Sequence, residues 1–306
     1  MPSIAYFGPR GTFSEQAARA AARPNHTLVP VATVPEALAA VRQGAADLAC
    51  VPVENSVEGA VSATMDALAV DEPLVAVAEV VLPVKFSLLA RPGLALADIT
   101  SVASHPHALA QVQGWLAANL GQATQLAATS TAAAAVGVLA GDYDAAITAP
   151  VAAFHYALNV LGTGLADVDD AVTRFLVLQR PGTLPAPTGS DRTSVAAIAS
   201  YQRTGVLAEM LTELALRGIN LSRIESRPLK GQLGEYRFYL DFDGHVAEQR
   251  VGDALAALHR RCQHVRFLGS YPKADATPTP GLSDNTDADY TAAAEWVDGV
   301  RGGRTG

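Results

Sequence analysis

The chain repeats one local pattern, in which a short apolar strand runs into a polar turn and the turn opens a helix. At the N-terminus, the strand from Ile4 to Phe7 meets a glycine-bounded turn at 8–11, and a helix pattern follows from Ser14. A second strand, at 47–53, carries the apolar run LACVPV, which suits a strand buried on both faces. This alternation of strands and helices predicts an open, mostly parallel α/β sheet.

Polar segments at the ends of strands are where such a sheet binds its ligands. Five segments fit: GPRGTFSEQAA (8–18), PVENSVEGAV (52–61), SHPHALAQ (104–111), TSTAAAAV (129–136) and DAVTRFLVL (170–178). The last one sets a hydroxyl, a guanidinium and an aromatic ring side by side at the mouth of an apolar strand, as Thr173, Arg174 and Phe175. A small anion can be held there, and we expect the five turns to converge on one cleft.

The length of 306 residues predicts two domains and a tail. A segment rich in Pro and Gly at 181–191 is typical of a linker between a domain at 1–180 and a second at 192–273. The second domain shows a βαββαβ pattern: strand 193–200, helix 205–217, strands 221–229 and 235–243, helix 248–262 and strand 264–271. This is the ferredoxin-like order. The tail, 274–306, has a disordered composition, with a possible short helix at 290–300.

Composition excludes several classes of protein. The net charge is −8, and the tail holds six acids against two bases, so an anionic ligand has to be bound by local donors against an unfavourable field. The sequence has no cluster of Lys and Arg residues of the kind that a nucleic-acid partner would require. No apolar run is long enough to cross a membrane and no secretory signal is visible, so we expect a cytoplasmic protein. Cys50 and Cys262 lie in different predicted domains and indicate neither a disulfide nor a metal site.

Together the polar segments resemble the prephenate dehydratase family. The family's motifs Gly-Pro-x-Gly-Thr-Phe-Ser, Pro-x-Glu-Asn-Ser, Ser-His-x-x-Ala-x-x-Gln and Thr-Arg-Phe occur in the family's order, and Glu225-Ser226-Arg227-Pro228 follows in the second domain. The resemblance covers roughly residues 3 to 273. It implies a two-lobed catalytic domain like a periplasmic binding protein, followed by an ACT domain, a regulatory module that binds amino acids.

The resemblance also implies a reaction, in which prephenate loses water and carbon dioxide to give phenylpyruvate. Such an enzyme has to anchor a dianion, place a donor at the departing hydroxyl and hold the ring in an apolar slot. Neither a metal nor a nucleotide or redox cofactor is required. The residues that the resemblance assigns to substrate binding are Thr12, Phe13, Ser14, Asn55, Ser56, Ser104, Gln111, Ser130 and Thr131.

For several of these residues a structural role is the competing interpretation. First-turn amides of helices bind carboxylates well, but Ser14, Ser56 and Thr131 could merely cap helices. His105 and His107 invite a general-acid role, and for His107 we favour a structural one. Glu54 and Glu58 would repel a dianion, so capping or supporting roles are expected for them.

Thr173 is the residue that the resemblance assigns to the leaving hydroxyl. A threonine is too weak an acid to lose its proton outright, so we expect it to donate a hydrogen bond or relay a proton in a dry site. Side chains alternate along a strand, so Arg174 should point away from Thr173 and either anchor a carboxylate or pair with a nearby acid. Phe175 should return to the face of Thr173 and pack on the substrate ring.

In the second domain, the resemblance assigns a phenylalanine site to two segments: Gly218-Ile219-Asn220-Leu221 and Glu225-Ser226-Arg227-Pro228. A site of this kind usually lies between two copies of the domain, which implies a homodimer or a homotetramer. Phenylalanine would act by favouring one arrangement of the subunits, to the extent that its affinities for the two arrangements differ.

Three other functions are alternatives to the dehydration of prephenate. Arogenate dehydratase catalyses the same type of reaction on a substrate with an amine in its side chain, and the sequence does not separate the two substrates. A catalytically silent amino-acid sensor or solute-binding protein would also use a two-lobed cleft. A Rossmann oxidoreductase is disfavoured, because the turn at 8–11 lacks the G-x-G-x-x-G spacing.

Overall fold

The computed structural model describes residues 1–199, 204–229, 235–277 and 286–304. It divides into two compact units. Unit 1 comprises Met1–Glu72 and Val80–Arg180, and unit 2 comprises Pro73–Glu79 and Pro181–Gly306. The chain passes from one unit to the other within a strand that was predicted to belong wholly to the first domain. The boundaries expected from the sequence, after residues 180, 191 and 273, stay predictions.

The first lobe of unit 1 is built on the predicted strand–turn–helix pattern. Its elements are β1 (Ser3–Phe7), α1 (Phe13–Ala21), β2 (Thr27–Val31), α2 (Val34–Arg42), β3 (Leu48–Asn55), β4 (Gly59–Ala60), α3 (Ser62–Val70), the unit 1 part of β5 (Val75–Pro83) and, much later in the chain, β11 (Val172–Gln179). Strand β1 lies parallel to both β2 and β3, whereas β11 and β4 pair with β3 in the antiparallel direction. The polar turns that follow β1 and β3 therefore meet at one edge of this sheet.

The second lobe of unit 1 has a sheet of its own. Its elements are β6 (Ser87–Ala90), β7 (Ser101–Ser104), α4 (Pro106–Ala110), α5 (Gln113–Asn119), β8 (Thr124–Ala127), α6 (Thr131–Ala140), β9 (Ala145–Thr148) and β10 (Asn159–Thr163), with short 3₁₀ turns at Leu96–Asp98 and Pro150–Phe154. The strand order is β10-β6-β9-β7-β8, with β7 parallel to β8 and β9 and with β6 antiparallel to β9 and β10. Both lobes thus combine a parallel centre with antiparallel strands.

Alanine-rich sequence explains how α6 packs on this sheet. Ala134, Ala135 and Val138 of α6 lie in one buried cluster with strand residues that include Ala103 and Ala146. Small side chains allow the helix to approach the strands closely, and the ring of Tyr143 fills the space beside Gly137, where a Cβ would lie 2.4 Å from a ring atom. The helix ends at Gly141, whose φ of 87° is unstrained only for glycine.

One predicted helix is wrong in its extent. The sequence predicts a single helix from Pro106 to Leu120, but the structure has α4 and α5 with a break at 111–112. Val112 adopts φ −129° and ψ 18°, outside the helical region. The carboxylate of Asp167 accepts hydrogen bonds from the N–H groups of Gly114 and Trp115, so it stabilises a new helix start at this point.

Unit 2 has the predicted ferredoxin-like topology. Its elements are β12 (Asp191–Ala199), α7 (Val206–Ala215), β13 (Leu221–Pro228), β14 (Tyr236–Asp243), α8 (Gln249–Arg261), β15 (Cys262–Pro272) and α9 (Asp287–Arg301). The antiparallel order β13-β14-β12-β15 leaves β13 at the edge, and both α7 and α8 contribute to the buried cluster on one face. The first part of β5 runs beside β15, where Gly269 is required because a Cβ would lie 2.4 Å from the carbonyl oxygen of Ala76.

The tail is more ordered than its composition predicts. Helix α9 covers the stretch 290–300 and extends it by three residues toward the N-terminus. Thr286 and Asp289 form a capping box, in which each side chain accepts a hydrogen bond from the other residue's N–H. The remainder of the tail at 278–285 and 305–306, and Ser200 of the predicted first strand, lie outside the described residues.

Asp144 ties the start of β9 to the start of β7. Its carboxylate accepts hydrogen bonds from the hydroxyl of Thr100 at 2.7 Å and from the N–H groups of Thr100 and Ser101 at 2.9 and 3.0 Å. These bonds, that from the Thr100 hydroxyl first, lower the pKa of Asp144 to about 2 despite partial burial. Both strands lead to the second-lobe side of the site, so Asp144 helps to fix the positions of the segments that line it.

We predict that Asp144→Asn lowers the free energy of unfolding by about 1–3 kcal/mol at pH 7, because the charge-assisted bonds are lost. The pKa in the folded state is below the unfolded value, so this contribution is present above about pH 4 and is lost as the pH falls toward about 2. Urea unfolding of both proteins at pH 7 and pH 2.5 measures it, with Asp142→Asn as the exposed control. An equal deficit at both pH values would contradict the assignment.

Candidate active site

A cavity of about 260 Å³ lies between the two lobes of unit 1. The turns after β1 and β3 and the start of β11 line it from the first lobe, and the starts of α4 and α6 line it from the second. The lining residues are Phe7, Gly8, Thr12, Phe13, Ser14, Asn55, Glu58, Val84, Phe86, His105, His107, Ala108, Gln111, Thr129, Ser130, Thr131 and Thr173. Eight of the twelve predicted substrate-binding and catalytic residues are among them: Thr12, Phe13, Ser14, Asn55, Gln111, Ser130, Thr131 and Thr173.

The hydroxyl of Thr173 is held by Asn55. The Nδ2 group of Asn55 donates to Thr173 Oγ1 at 2.9 Å, across the paired strands β3 and β11. The orientation of the amide is fixed at its other end, since Oδ1 accepts hydrogen bonds from the N–H groups of Val57 and Glu58 at 2.8 and 3.0 Å. Thr173 Oγ1 is therefore an acceptor from Asn55, and its own hydrogen is left to donate to a group in the cavity.

Two helix N-termini contribute to the cavity. Thr12 is the N-cap of α1 and accepts a hydrogen bond from Glu15 N–H, while Ser130 is the N-cap of α6 and accepts one from Ala133 N–H. Each cap satisfies one first-turn amide and leaves the earlier ones without an intrahelical partner. Free amides and the positive end of the helix dipole make each terminus a site for a carboxylate. The N-caps are therefore Thr12 and Ser130 and not the expected Ser14 and Thr131, and capping leaves each turn able to bind a carboxylate.

The buried carboxylate of Glu15 stabilises the turn that precedes α1. Glu15 is 1% exposed, and its carboxylate accepts a hydrogen bond from Gly11 N–H at 2.6 Å and contacts Arg19 and His155. Burial raises the pKa of Glu15, but the Gly11 hydrogen bond and those from Arg19 and His155 outweigh it, so the pKa lies below its usual value. The charged carboxylate keeps the turn before α1 in place.

An apolar wall forms another side of the cavity. The rings of Phe13 and Phe86 meet edge to face, with centroids 5.4 Å apart and an angle of 89° between their planes. Phe7, Val84 and Ala108 continue this wall. The sequence does not point to Phe86 or Val84, because their place in the site depends on the contact between the lobes and not on a local motif.

Glu58, His107 and Gln111 form a polar group that joins the two lobes at the cavity. One carboxylate oxygen of Glu58 accepts a hydrogen bond from Gln111 Nε2 at 2.9 Å, and the other forms an ion pair with His107 Nδ1. Gln111 Oε1 is buried and has no hydrogen-bond partner among the described residues. Glu58 and His107 are the residues for which we expected only supporting roles, and the structure places both on the cavity wall.

His105 lies beside this group. Its ring stands edge to face with that of His107 at a centroid distance of 4.9 Å, and its Nδ1 accepts a hydrogen bond from His107 N–H. Burial lowers the pKa of His105, the neighbouring His107 lowers it further, and Glu58 opposes the shift. A neutral imidazole that accepts hydrogen bonds is the state that these neighbours favour.

Four predicted site residues do not line the cavity. Ser56 exchanges two hydrogen bonds of 2.9 Å with the backbone of Val172, which fixes the strand position just before Thr173. Ser104 is fully buried and donates to the carbonyl of Ile147 at 2.6 Å. Both serve to position the strands that carry the site.

Arg174 and Phe175 are the other two. The guanidinium of Arg174 lies 3.8 Å from the carboxylate of Glu54, its neighbour across the strands, so the ion-pair alternative describes it. Phe175 is 1% exposed and belongs to the core, so the expected packing on a substrate ring is wrong. A shift in register between Arg174 and Phe175 explains the difference, because a bulge adds twist and re-aims the side chains that follow it.

The two predicted effector segments lie along one strand of unit 2. Gly218 to Asn220 precede β13, and Glu225 to Pro228 form its second half. Ile219 and Leu221 pack into the core cluster, and Asn220 donates to Asp243 at 3.1 Å. Glu225 forms ion pairs with both Arg223 and Arg227. Only part of this set is therefore free to contact a ligand within one copy.

Two possible features are not found in the part of the chain that the structure describes. There is no group of three or more His, Cys, Asp or Glu side chains that could hold a metal ion. No described helix is both long and apolar enough to cross a membrane.

Comparison with known proteins agrees with the geometry. The family model for prephenate dehydratase matches residues 4–183. A prephenate dehydratase from Amycolatopsis methanolica is 60% identical over 304 residues, which covers 99% of each chain. A solved structure of prephenate dehydratase from Arthrobacter aurescens in complex with L-Phe is 45% identical, with a TM-score of 0.92, and covers 97% of this chain and 99% of its own.

A further solved structure carries a different description. A protein described as GqqA, a novel type of quorum quenching acylase, is 32% identical with a TM-score of 0.78, and the match covers 89% of this chain and 98% of that one. The fold therefore accompanies more than one reported activity, and the site residues have to decide between them. The family model and the 60% identity over the full length show that the chain belongs to the prephenate dehydratase family.

Proposed function

We propose that the cavity of unit 1 binds prephenate and converts it to phenylpyruvate, water and carbon dioxide, with Thr173 as the donor to the leaving hydroxyl. The observation that carries this assignment is the Asn55 amide, which donates to Thr173 Oγ1 and so leaves the hydroxyl hydrogen of Thr173 for the substrate. The reaction itself is that of the prephenate dehydratase family, to which the chain belongs, and we propose here which residues of the cavity take part in it.

The two carboxylates of prephenate match the two helix N-termini. One carboxylate binds at the first-turn amides of α1, at Phe13 and Ser14, and the other at those of α6, at Thr131 and Ala132. Thr12 and Ser130 fix these turns as N-caps. Because the donors are backbone groups already held in place, little reorganisation is needed when the dianion enters.

The apolar wall then holds the ring. As the bond from the ring to its carboxylate breaks, its electron pair moves into the ring and the hydroxyl on the opposite carbon leaves. The hydroxyl takes up one proton, supplied by solvent, so carbon dioxide and water are released as the ring becomes aromatic. Phe13 and Phe86 offer a surface that fits the ring and excludes water. The Thr173 hydroxyl donates a hydrogen bond to the oxygen of the leaving hydroxyl and so makes it a better leaving group. Thr173 keeps its own proton at the end of the reaction.

Thr173→Val replaces the hydroxyl by a methyl group of similar size, and we predict that it lowers kcat for prephenate by about 10²- to 10³-fold. Thr173→Ser retains a hydroxyl and is expected to keep much of the activity. Phenylpyruvate formation by the purified variants measures both. Near-normal turnover in Thr173→Val would overturn the role of Thr173.

Asn55→Asp tests the orientation of that hydroxyl. An aspartate still accepts from Val57 and Glu58 N–H but offers an acceptor in place of Nδ2, so the hydroxyl of Thr173 turns its hydrogen toward residue 55 and away from the cavity. We predict a fall in kcat of about 10²-fold. Asn159→Asp, the same change at an exposed position of β10, serves as the control. Wild-type kcat in Asn55→Asp would show that Thr173 does not need this orientation.

Prephenate and arogenate share two carboxylates and the leaving hydroxyl, and they differ at the side-chain keto or amino group. The measurement that separates them is kcat/KM for each substrate with the same preparation of enzyme. Loss of turnover with both would favour the sensor alternative. Quorum-quenching acylase activity of the wild type, unaffected in Thr173→Val, would instead indicate the function described for the GqqA structure.

We further propose that L-phenylalanine regulates the chain by binding at unit 2, as an ACT domain, between two copies. Strand β13 is an edge strand that pairs only with β14 among the described strands. Asn220, just before β13, and Ser226 within it are six positions apart, so an extended chain separates them by about 20 Å, which is much longer than an amino acid. A second copy that runs antiparallel beside β13 brings the first segment of one copy to the second segment of the other.

A mixing experiment tests this arrangement. We predict that Asn220→Ala and Ser226→Ala each weaken phenylalanine binding, whereas a mixture of the two, after subunit exchange, recovers one intact site per mixed dimer. Calorimetric titration with phenylalanine measures the number of tight sites. If mixing restores no sites, the ligand does not bridge two copies. The dimer or tetramer, and a cytoplasmic location, stay predictions.

A further inference from the structure

A second cavity adjoins the active site and carries a single cation. It has a volume of about 680 Å³ and is lined by residues of both lobes of unit 1. It shares four lining residues with the active-site cavity: Phe7, Gly8, Thr129 and Ser130. The two cavities therefore lie next to each other at the N-terminus of α6.

Arg10 is the one ionisable residue among those that line this second cavity. Its other lining residues are apolar or small: Pro9, Pro30, Val31 and Ala32, besides the four that are shared. No hydrogen bond or ion pair joins the guanidinium of Arg10 to any residue that the structure describes, although its backbone is fixed by a 2.8 Å hydrogen bond from the Tyr156 hydroxyl to the Arg10 carbonyl. The guanidinium of Arg10 thus has no hydrogen-bond or ion-pair partner among these residues, and the residue stands between this cavity and a third one that Tyr6 and Glu15 also line, where its charge acts on Tyr6.

The charges elsewhere in the site make this cation important for an anionic substrate. The chain has a net charge of −8, and Glu58 adds an acid to the active-site cavity itself. Arg174, the arginine of the Thr-Arg-Phe motif, lies beside Glu54, and Arg19 is bound to Glu15. Helix N-termini act only within their first turn, so they hold a carboxylate that has arrived but attract it weakly from a distance.

We propose that the second cavity is the entry route to the active site and that Arg10 draws the dicarboxylate substrate into it and stabilises it there before it binds at α1 and α6. This inference rests on the proposed function. It assigns Arg10 to substrate capture, not to the chemical step, so it concerns kcat/KM and not kcat. It also favours the substrate with the larger negative charge: prephenate carries two negative charges, whereas the amine of arogenate leaves a net charge of one.

The test compares Arg10→Gln, Arg10→Lys and Arg23→Gln. Arg23 is an exposed arginine near the same helix that lines neither cavity, so Arg23→Gln removes the same charge at a different place. At an ionic strength of about 0.02 M, Arg10→Gln is expected to lower kcat/KM for prephenate about fivefold with kcat unchanged, and Arg10→Lys to retain most of it. Above about 0.5 M salt the difference should vanish, since screening acts over only a few ångströms.

Two further readouts separate this inference from the proposed function. Arogenate, if it is turned over, should lose less kcat/KM than prephenate in Arg10→Gln. Prephenate binding to Thr173→Val and to Thr173→Val with Arg10→Gln, measured by calorimetry at low salt, should differ about fivefold in Kd. If the wild type binds prephenate without turnover, the proposed function fails while this difference still tests Arg10. Equal effects of Arg10→Gln and Arg23→Gln on kcat/KM and Kd would overturn the inference.

Discussion

The site depends on one side-chain amide with a fixed orientation. Asn55 sits at the end of β3 and receives two backbone N–H groups from the turn that follows, so its Nδ2 can only point across to Thr173 on β11. The strands are held in register at this point by the two hydrogen bonds between Ser56 and Val172. A change in that register would turn the Thr173 hydroxyl away from the cavity, so the backbone pairing of distant segments determines the chemistry.

The helix N-termini at the cavity have an electrostatic explanation. An acidic chain that binds a dianion cannot rely on its overall field, and the proposed carboxylate sites are the positive ends of α1 and α6. Backbone donors have a further advantage, because they need no flexible side chain to be ordered on binding. Glu15, buried and charged beneath the first of these turns, holds the donors without entering the cavity.

Local signals in the sequence predict the parts of this site that depend on local structure. The ferredoxin-like order of unit 2 follows from short-range patterns, and the structure has it. Local patterns also locate the turns that open α1 and α6, but the N-caps are Thr12 and Ser130 and not the expected Ser14 and Thr131. Strand alternation fails at Phe175, because a bulge against β3 intervenes. The pairing of Glu58 with His107 is a contact between lobes, which no local pattern encodes. The capping box of α9 was a local signal that the acidic, proline-rich composition of the tail obscured.

A crystal structure of Thr173→Val with prephenate bound at low temperature is the most direct test of these roles. We expect one carboxylate at the first turn of α1 and the other at that of α6, the ring against Phe13 and Phe86, and the ring hydroxyl facing residue 173. Prephenate bound in this cavity with its hydroxyl turned away from residue 173, or bound outside the cavity altogether, would show that Thr173 is not the donor to the leaving hydroxyl.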